Sequence, residues 1–290
     1  MSKTGYVATI GMFDGVHRGH QFVLQQVIRM ARERGLQSMA ITFDHTLRKD
    51  SQLTTLDDKL ALLRQLGIDH IEVLPFTDEL KQMSAREFMQ QVLKERLHVE
   101  VLLIGYDNRF GRGRTEGFDD YVRYGHELNM DVVQLPAQGT VCSSLIRNLL
   151  QEGQVAEAAD LLGHPYLLEG RVEHGEHIGT RLGYPTANLV PVDGRLLIPA
   201  SGVYAVQVSL DHQPVFHAAM MNIGHRPTFD GQHTTLEVHV LHLNEDLYGR
   251  EMTVQFFQRL RDEQRFDNED ALVRQLQLDA QQVENLFKKK

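Results

Sequence analysis

The sequence predicts two halves of different texture: an α/β half built on a doubly wound parallel sheet, then a small antiparallel β-barrel closed by a C-terminal helix. Three observations predict this. Strand-like and helix-like patterns alternate through the first half, as βαβ units do. The strand ending Val101–Ile104 is apolar without a break, as expected when both faces of a sheet are covered. Beyond about residue 150 the pattern changes to short strands punctuated by Gly and Pro, the rhythm of a small barrel.

The elements follow in order. Tyr6–Met12 reads as a strand, and a Gly/Asp turn leads into a helix from about His20 to Arg34, stopped by Gly35. Gln37–Phe43 is a second strand, Asp57–Leu66 a helix ending at Gly67, and Ile68–Leu74 a third strand. Ser84 with Glu87 three residues on forms a capping box that opens a helix over Ala85–Arg96. Val99–Ile104 and Met130–Leu135 are the fourth and fifth strands, and Ser144–Leu150 and Val155–Leu162 two short helices. The barrel strands are Leu167–His174, Gly202–Leu210, Pro214–Ile223, Thr235–Leu243 and Met252–Arg259. In Leu236-Glu237-Val238-His239-Val240 the alternation is clean, the mark of a half-buried antiparallel strand. A final helix, Glu269–Phe287, carries Leu272, Leu276, Val283 and Leu286 on one side.

With 290 residues the chain suits two domains of ordinary size, and the change of texture divides them into 1–158 and 159–290. The 42% hydrophobic and 24% charged fractions are those of a globular protein. The 39 Asp+Glu against 30 Lys+Arg leave a net charge of −9, which argues against a general nucleic-acid binder. No apolar stretch nears the ~20 residues of a membrane helix, and the first residues lack an apolar signal core. The single Cys142 excludes an intrachain disulfide and a multi-cysteine zinc site. The expectation is a reduced, cytoplasmic enzyme acting on small molecules, with no nucleic-acid or membrane partner, as a monomer or weak homo-oligomer.

Two segments carry chemistry. In the first, Gly11-Met12-Phe13-Asp14-Gly15-Val16-His17-Arg18-Gly19-His20 leaves the first strand and enters the first helix. Its glycines let backbone approach a ligand, and a helix N-terminus offers free N–H groups to phosphate. His17 and His20, three apart, face one pocket, where they stabilise charge gathering on a phosphoryl group. No Gly-Lys-Ser/Thr follows, so this is not a Walker A loop. Ser143 and Ser144 at a helix start, with Arg147 one turn on, form a second anion cradle, and Asp107 and Arg109 follow the fourth strand. Against these readings stand plain ones: a helix cap, a helix start, an ordinary turn.

In the second segment, Gly175, Gly179 and Gly183 lie in one loop that runs into Pro185-Thr186-Ala187-Asn188. Such a loop holds phosphates through its N–H groups, and the Thr186 hydroxyl and Asn188 carbonyl oxygen are hard donors of the kind Mg²⁺ takes beside phosphate oxygens. His239 and His242 read as residues of a solvated barrel face, with no carboxylate at ligand spacing and hence no zinc.

The Gly11–His20 decamer resembles the nucleotidyltransferase signature of bacterial FAD synthetases, the amino-terminal half of bifunctional riboflavin kinase/FAD synthetases. Gly105–Gly111 and Val141–Arg147 are similar to two further motifs of that half, with Cys142 and Ser144 in place of a Ser and a Thr. The Pro-His-Pro that the family carries after strand two is replaced here by Phe43-Asp44-His45-Thr46-Leu47-Arg48, where His45 offers a substitute. The Gly175–Leu189 run resembles the riboflavin kinase signature. Met221-Asn222-Ile223-Gly224 with Arg226-Pro227-Thr228-Phe229, Leu236-Glu237-Val238-His239, Leu247-Tyr248-Gly249 and Arg261–Phe266 match the rest of that half.

The resemblance implies a nucleotidyltransferase domain followed by a kinase domain. The kinase uses MgATP to convert riboflavin to FMN, and the transferase then joins FMN and a second ATP into FAD plus pyrophosphate. It implies Glu237 as the base for the ribityl hydroxyl. His17 and His20 act at the α-phosphoryl group, and Gly11, Phe13, Asp14, Gly19, Asp107, Arg109, Ser143, Ser144, Arg147, Asn222 and Arg226 serve as binding residues. Two alternatives remain at this stage: a riboflavin kinase with an impaired or regulatory first domain, and a flavin or nucleotide sensor without turnover.

Overall fold

The structure, a computed structural model, describes residues 5–44, 51–106, 108–136, 139, 141–174, 183–228 and 231–288, without the side chains of 226–228 and 231–233. His45, Asp107, Gly175 and Gly179 lie outside the described residues, as does the side chain of Arg226. Two compact units emerge: residues 1–49 with 54–142, and residues 50–53 with 143–290.

The first unit runs β1 (Tyr6–Ile10), α1 (Arg18–Arg34), β2 (Gln37–Phe43), α2 (Leu56–Gln65), β3 (His70–Leu74), α3 (Asp78–Gln82), α4 (Ala85–Glu87), β4 (Val99–Ile104), α5 (Phe118–Glu127) and β5 (Asp131–Gln134). Its five strands pair in parallel in the order β3-β2-β1-β4-β5. Alternate residues of each strand feed opposite faces. Ala8, Met39, Leu102 and Ile104 pack with Met89, Leu93 and Tyr121 on one side. Val7, Ala40, Val101 and Leu103 pack with Leu24, Val27 and Leu63 of α1 and α2 on the other. This double burial is why the strands read as apolar runs instead of alternating ones.

Local signals mark most helix ends. Gly35 closes α1 in the left-handed conformation at φ 63°. Thr55 caps α2 by accepting from Asp58 N at 3.0 Å. Ser84 and Glu87 complete the capping box, with Ser84 N donating to Glu87 Oε2 at 2.8 Å. The helix after it is not regular: Phe88–Arg96 is π-helical, and Leu97 N reaches Val92 O, five residues back.

The second unit comprises α6 (Ser143–Gln151), α7 (Val155–Leu162), β6 (Tyr166–Glu173), β7 (Ala187–Pro191), β8 (Gly202–Leu210), β9 (His217–Thr228), β10 (Gly231–Val240), β11 (Glu251–Arg261) and α8 (Glu269–Lys288). The strands close as β10-β7-β6-β11-β8-β9, each pairing antiparallel. The β9–β10 hairpin extends to Thr228 and Gly231, so β10 begins four residues before its expected start and ends three before its expected end. Residues 50–53 pair into this unit, Gln52 bridging to Leu196. Helix α5 and the five-residue elements α3 and β7 are not among the elements expected from sequence.

Helix α8 packs Leu276, Val283, Leu286 and Phe287 onto Ala205, Met220 and Leu241 of the barrel. The same face buries a carboxylate. Asp279 is 0% exposed and is gripped by Arg261 through Nη2 at 2.8 Å and Nε at 3.0 Å, with Gln275 Nε2 at 2.9 Å. Removing one partner of such a pair strands the other charge. Asp279→Ala should lower the stability of the second unit by about 3 kcal/mol in urea unfolding.

Candidate active sites

In the first unit the chain winds from β1 outward to β3, then returns to β4 on the other side of β1. The loops after β1 and β4 therefore part, leaving a crevice at the carboxyl ends of neighbouring strands. The predicted Gly11–His20 segment lies at that switch point. Asn108, just beyond β4, donates from Nδ2 to Ile10 O at the end of β1, tying the two loops.

The turn after β1 takes an unusual path: Phe13, Gly15 and Val16 all have positive φ, at 49°, 82° and 39°. For a β-branched residue such as Val16 this is rare and costly, so the surroundings must impose it. Asp14, 5% exposed, accepts from Thr54 N at 3.3 Å, and Gly15 N donates to Thr54 Oγ1 at 3.2 Å. Met12 O receives the Thr42 hydroxyl at 3.3 Å and the Lys59 ammonium at 3.4 Å. Asp14 thus braces the turn from within. Two glycines serve close approach: a Cβ on Gly11 would lie 3.0 Å from the Phe13 ring, and one on Gly19 3.2 Å from the His17 ring.

His17 is the N-cap of α1, so the plain reading and the chemical one describe the same residue. Its Nδ1 accepts from His20 N at 3.4 Å, which in the neutral ring leaves the proton on Nε2 as a donor. The two imidazoles stack at 3.6 Å, and Phe13 meets His20 edge-on at 5.3 Å. His20 Nδ1 is buried with no hydrogen-bond partner. Burial first, then the neighbouring His17 and the Lys59 cation, push the His20 pKa well below the usual histidine value. The His20 ring therefore favours its neutral form.

Arg109 is exposed and lines a cavity of about 410 Å³ with Ile104, Tyr106, Asn108, Phe118 and Gln134, at the ends of β4 and β5. Ser143, Ser144 and Arg147 belong to the second unit. Ser143 opens α6 as expected, but Arg147 is only 7% exposed and its Nε donates to Ser51 O at 2.7 Å. Part of the guanidinium assigned to an anion therefore already holds a main-chain carbonyl.

In the barrel, register assembles the second site. Glu237 on β10 pairs with Asn222 on β9 and with Asn188 on β7, and Asn188 pairs with Glu173 on β6. Directly paired residues point to the same face, so these four form one polar row across four strands. Their neighbours Ile223, Val238, Leu189 and Val172 are buried in the barrel, which places the row on its outer face. Thr186, exposed and two residues before Asn188, lines a cavity of about 320 Å³ with Glu173, His174, Val238 and Tyr248. Gly183 turns the loop at φ 80°. Thr186 and Asn188 supply hard, neutral oxygens, which fit Mg²⁺ in a site completed by phosphate.

The expectation of a solvated face holds for the exposed His242 and needs correction for His239. His239 is half-buried, donates from Nδ1 to Pro185 O at 2.7 Å and packs on Tyr184, so it holds the segment that carries Thr186. His242 Nε2 meets Glu284 of α8 at 2.8 Å. Barrel closure brings both partners from distant sequence.

A family model for FAD synthetase matches residues 1–145, and one for riboflavin kinase matches residues 162–287. The chain is 38% identical to a bifunctional riboflavin kinase/FMN adenylyltransferase of Escherichia coli over 98% of its own length and 94% of the relative's. It is 35% identical to one of Listeria monocytogenes, over 98% and 93%. The chain belongs to the bifunctional riboflavin kinase/FMN adenylyltransferase family. The crystal structure of a macrolide-efflux protein from Streptococcus pneumoniae shares the fold at TM-score 0.88 and 30% identity, covering 98% of this chain and 95% of that one. Among the described residues no helix is long and apolar enough to cross a membrane.

For a bifunctional riboflavin kinase/FMN adenylyltransferase, the sequence reading overlooks Lys59 under the first site, and Glu173, the His239 anchor and the His174–Tyr248 ring stack (3.5 Å) at the second. Lys59 leaves a trace in sequence: it lies four residues before Leu63, on the apolar side of α2. In a ¹³C or ¹⁵N NMR titration the His20 imidazole should protonate at lower pH than an exposed histidine of the same chain such as His242, the direction its burial dictates.

Proposed function

We propose that this chain makes FMN and then FAD. The barrel unit transfers the γ-phosphoryl group of MgATP to the ribityl 5′-hydroxyl of riboflavin. The α/β unit transfers AMP from a second ATP to FMN, releasing pyrophosphate. The observation that carries the reading is the full-length likeness to relatives named for both reactions, and we assign residues to each step from the matched motifs and the geometry around them.

In the kinase step the 5′-oxygen attacks the γ-phosphorus, the bond to ADP breaks, and the Glu237 carboxylate receives the hydroxyl proton. Asn222 and Asn188 flank Glu237 in register and orient the groups around it. Thr186 and Asn188 would hold Mg²⁺, which when bound would neutralise charge on the phosphates. Gly175, Gly179, Gly183 and Arg226 are assigned to the phosphates by their place in the matched motifs.

In the adenylyl step an FMN phosphate oxygen attacks the α-phosphorus of ATP and pyrophosphate leaves, so no protein nucleophile is needed. His17 and neutral His20 donate hydrogen bonds to the oxygens where charge develops. The Gly11–Gly19 turn, Asp107 and Arg109 bind the nucleotide, and Ser143, Ser144 and Arg147 steady the leaving group. We assign this step to residues 1–158 and the kinase to 159–290. Both substrates are small molecules, and we infer a cytoplasmic monomer or weak homo-oligomer that needs no nucleic acid or membrane.

Product analysis after incubation with riboflavin and MgATP tests the reading. FAD is expected; FMN alone would leave only the kinase, and no product would indicate a binding protein. Glu237→Ala should cut FMN formation at least about 100-fold while FMN-to-FAD conversion stays near normal. Parallel loss of both would contradict independent sites.

A further inference from the structure

Lys59 is an ammonium that the adenylyl-transfer reading leaves without a task. It is 4% exposed, although lysine is almost never fully buried unless paired. Its Nζ donates to Phe43 O at 2.9 Å and to Met12 O at 3.4 Å. Those carbonyls belong to the last residue of β2 and to the second residue past β1, on the sheet edge where ligands of such folds sit. The start of α2 grips the same turn: Thr54 holds Asp14 and Gly15, and Thr55 caps the helix.

A buried cation is expensive, and hydrogen bonds to two carbonyls do not by themselves require one. What the charge adds is stronger bonding to both carbonyls and a positive field directly beneath an anion-binding turn. Among the described residues, the charged or titratable groups facing Lys59 are Asp14 from the turn, Asp44 beyond β2 and His20 from α1.

We propose that Lys59 is a positioning residue for adenylyl transfer: its ammonium clamps the ends of β1 and β2 together, holding the Met12–His17 turn in its left-handed path and the stacked imidazoles in place over the crevice. The proposal rests on the adenylyl-transfer reading of the first unit. It explains how Phe13 persists at positive φ, since the carbonyl just before it is pinned from below, and Val16 follows in the same turn. It also links the two ionisable groups of the site. The Lys59 charge is one of the causes, after burial and His17, that keep His20 neutral. Burial lowers the Lys59 pKa to about 8, with Asp14 and Asp44 resisting the fall. Above that pH the clamp loses its charge.

The test compares wild type, Lys59→Met and Lys59→Arg in FMN-to-FAD conversion, with riboflavin phosphorylation in the same preparations as a control on folding. Lys59→Met should lose on the order of 100-fold in kcat with little change in the KM for FMN, as misplacement near the reacting group does. Its kinase rate should stand. Wild type should show an alkaline limb near pH 8 in FAD formation alone. Lys59→Arg, charged at every pH tested, should recover much of the rate and lack that limb. His20 in Lys59→Met should titrate at higher pH than in wild type.

A Lys59→Met enzyme with wild-type kcat, an equal loss of kinase activity, or an unchanged alkaline limb in Lys59→Arg would overturn the proposal. Wild type that makes no FAD would instead overturn the adenylyl-transfer reading itself.

Discussion

The first unit depends on the divergence of two adjacent strands. Because β1 and β4 are neighbours whose connections wind in opposite directions, the loops beyond them diverge, joined where Asn108 reaches Ile10 O, and folds of this topology open a crevice at those carboxyl ends. The turn after β1 borders that crevice without collapsing, although two of its non-glycine residues take backbone angles they disfavour. Strain of this kind persists only when the surroundings over-determine it. Here Thr42 of β2, Lys59 of α2 and Thr54 just before α2 fasten the turn from below. The cost of folding the turn is met by buried polar contacts, and the outcome is a pair of imidazoles at a fixed place.

Burial also decides what those imidazoles are. Two histidines three residues apart at a helix start would ordinarily share a charge near neutral pH. With the rings stacked at 3.6 Å and a lysine nearby, protonating His20 means placing a cation among cations in a poorly solvated site. The ring keeps one buried nitrogen that meets no protein partner.

The barrel reaches the same end by register. Leu236, Val238 and Val240 are locked into the interior, each worth roughly 1.5–3 kcal/mol of burial. A slip of one residue would turn them outward and carry Glu237 inward, so hydrophobic packing sets the position of the carboxylate. Pairing across β9, β10, β7 and β6 then lines Asn222, Asn188 and Glu173 up beside it. His239, on the same face, fastens the main chain just before Thr186. The polar row thus takes its geometry from strand parity, and the segment carrying Thr186 from one hydrogen bond to His239.

Sequence alone determined what local rules and short motifs control. The alternation of elements, the Gly35 stop, the Ser84–Glu87 box, the change of texture near residue 150, and the motif residues His17, His20, Thr186, Asn188 and Glu237 are all legible, because each is written within a few consecutive residues. Tertiary structure alone decided what depends on partners far along the chain. The burial of Lys59 against Phe43 and Met12, the Arg261–Asp279 pair, the Glu173 neighbour of Asn188, and the contacts of His239, His242 and Arg147 leave little or no local trace. A lysine such as Lys59 on a helix, or a histidine such as His239 on a strand, reads as solvated until the fold closes over it. Desolvation and pairing are properties of the closed structure, and they turn an ordinary polar residue into part of a site.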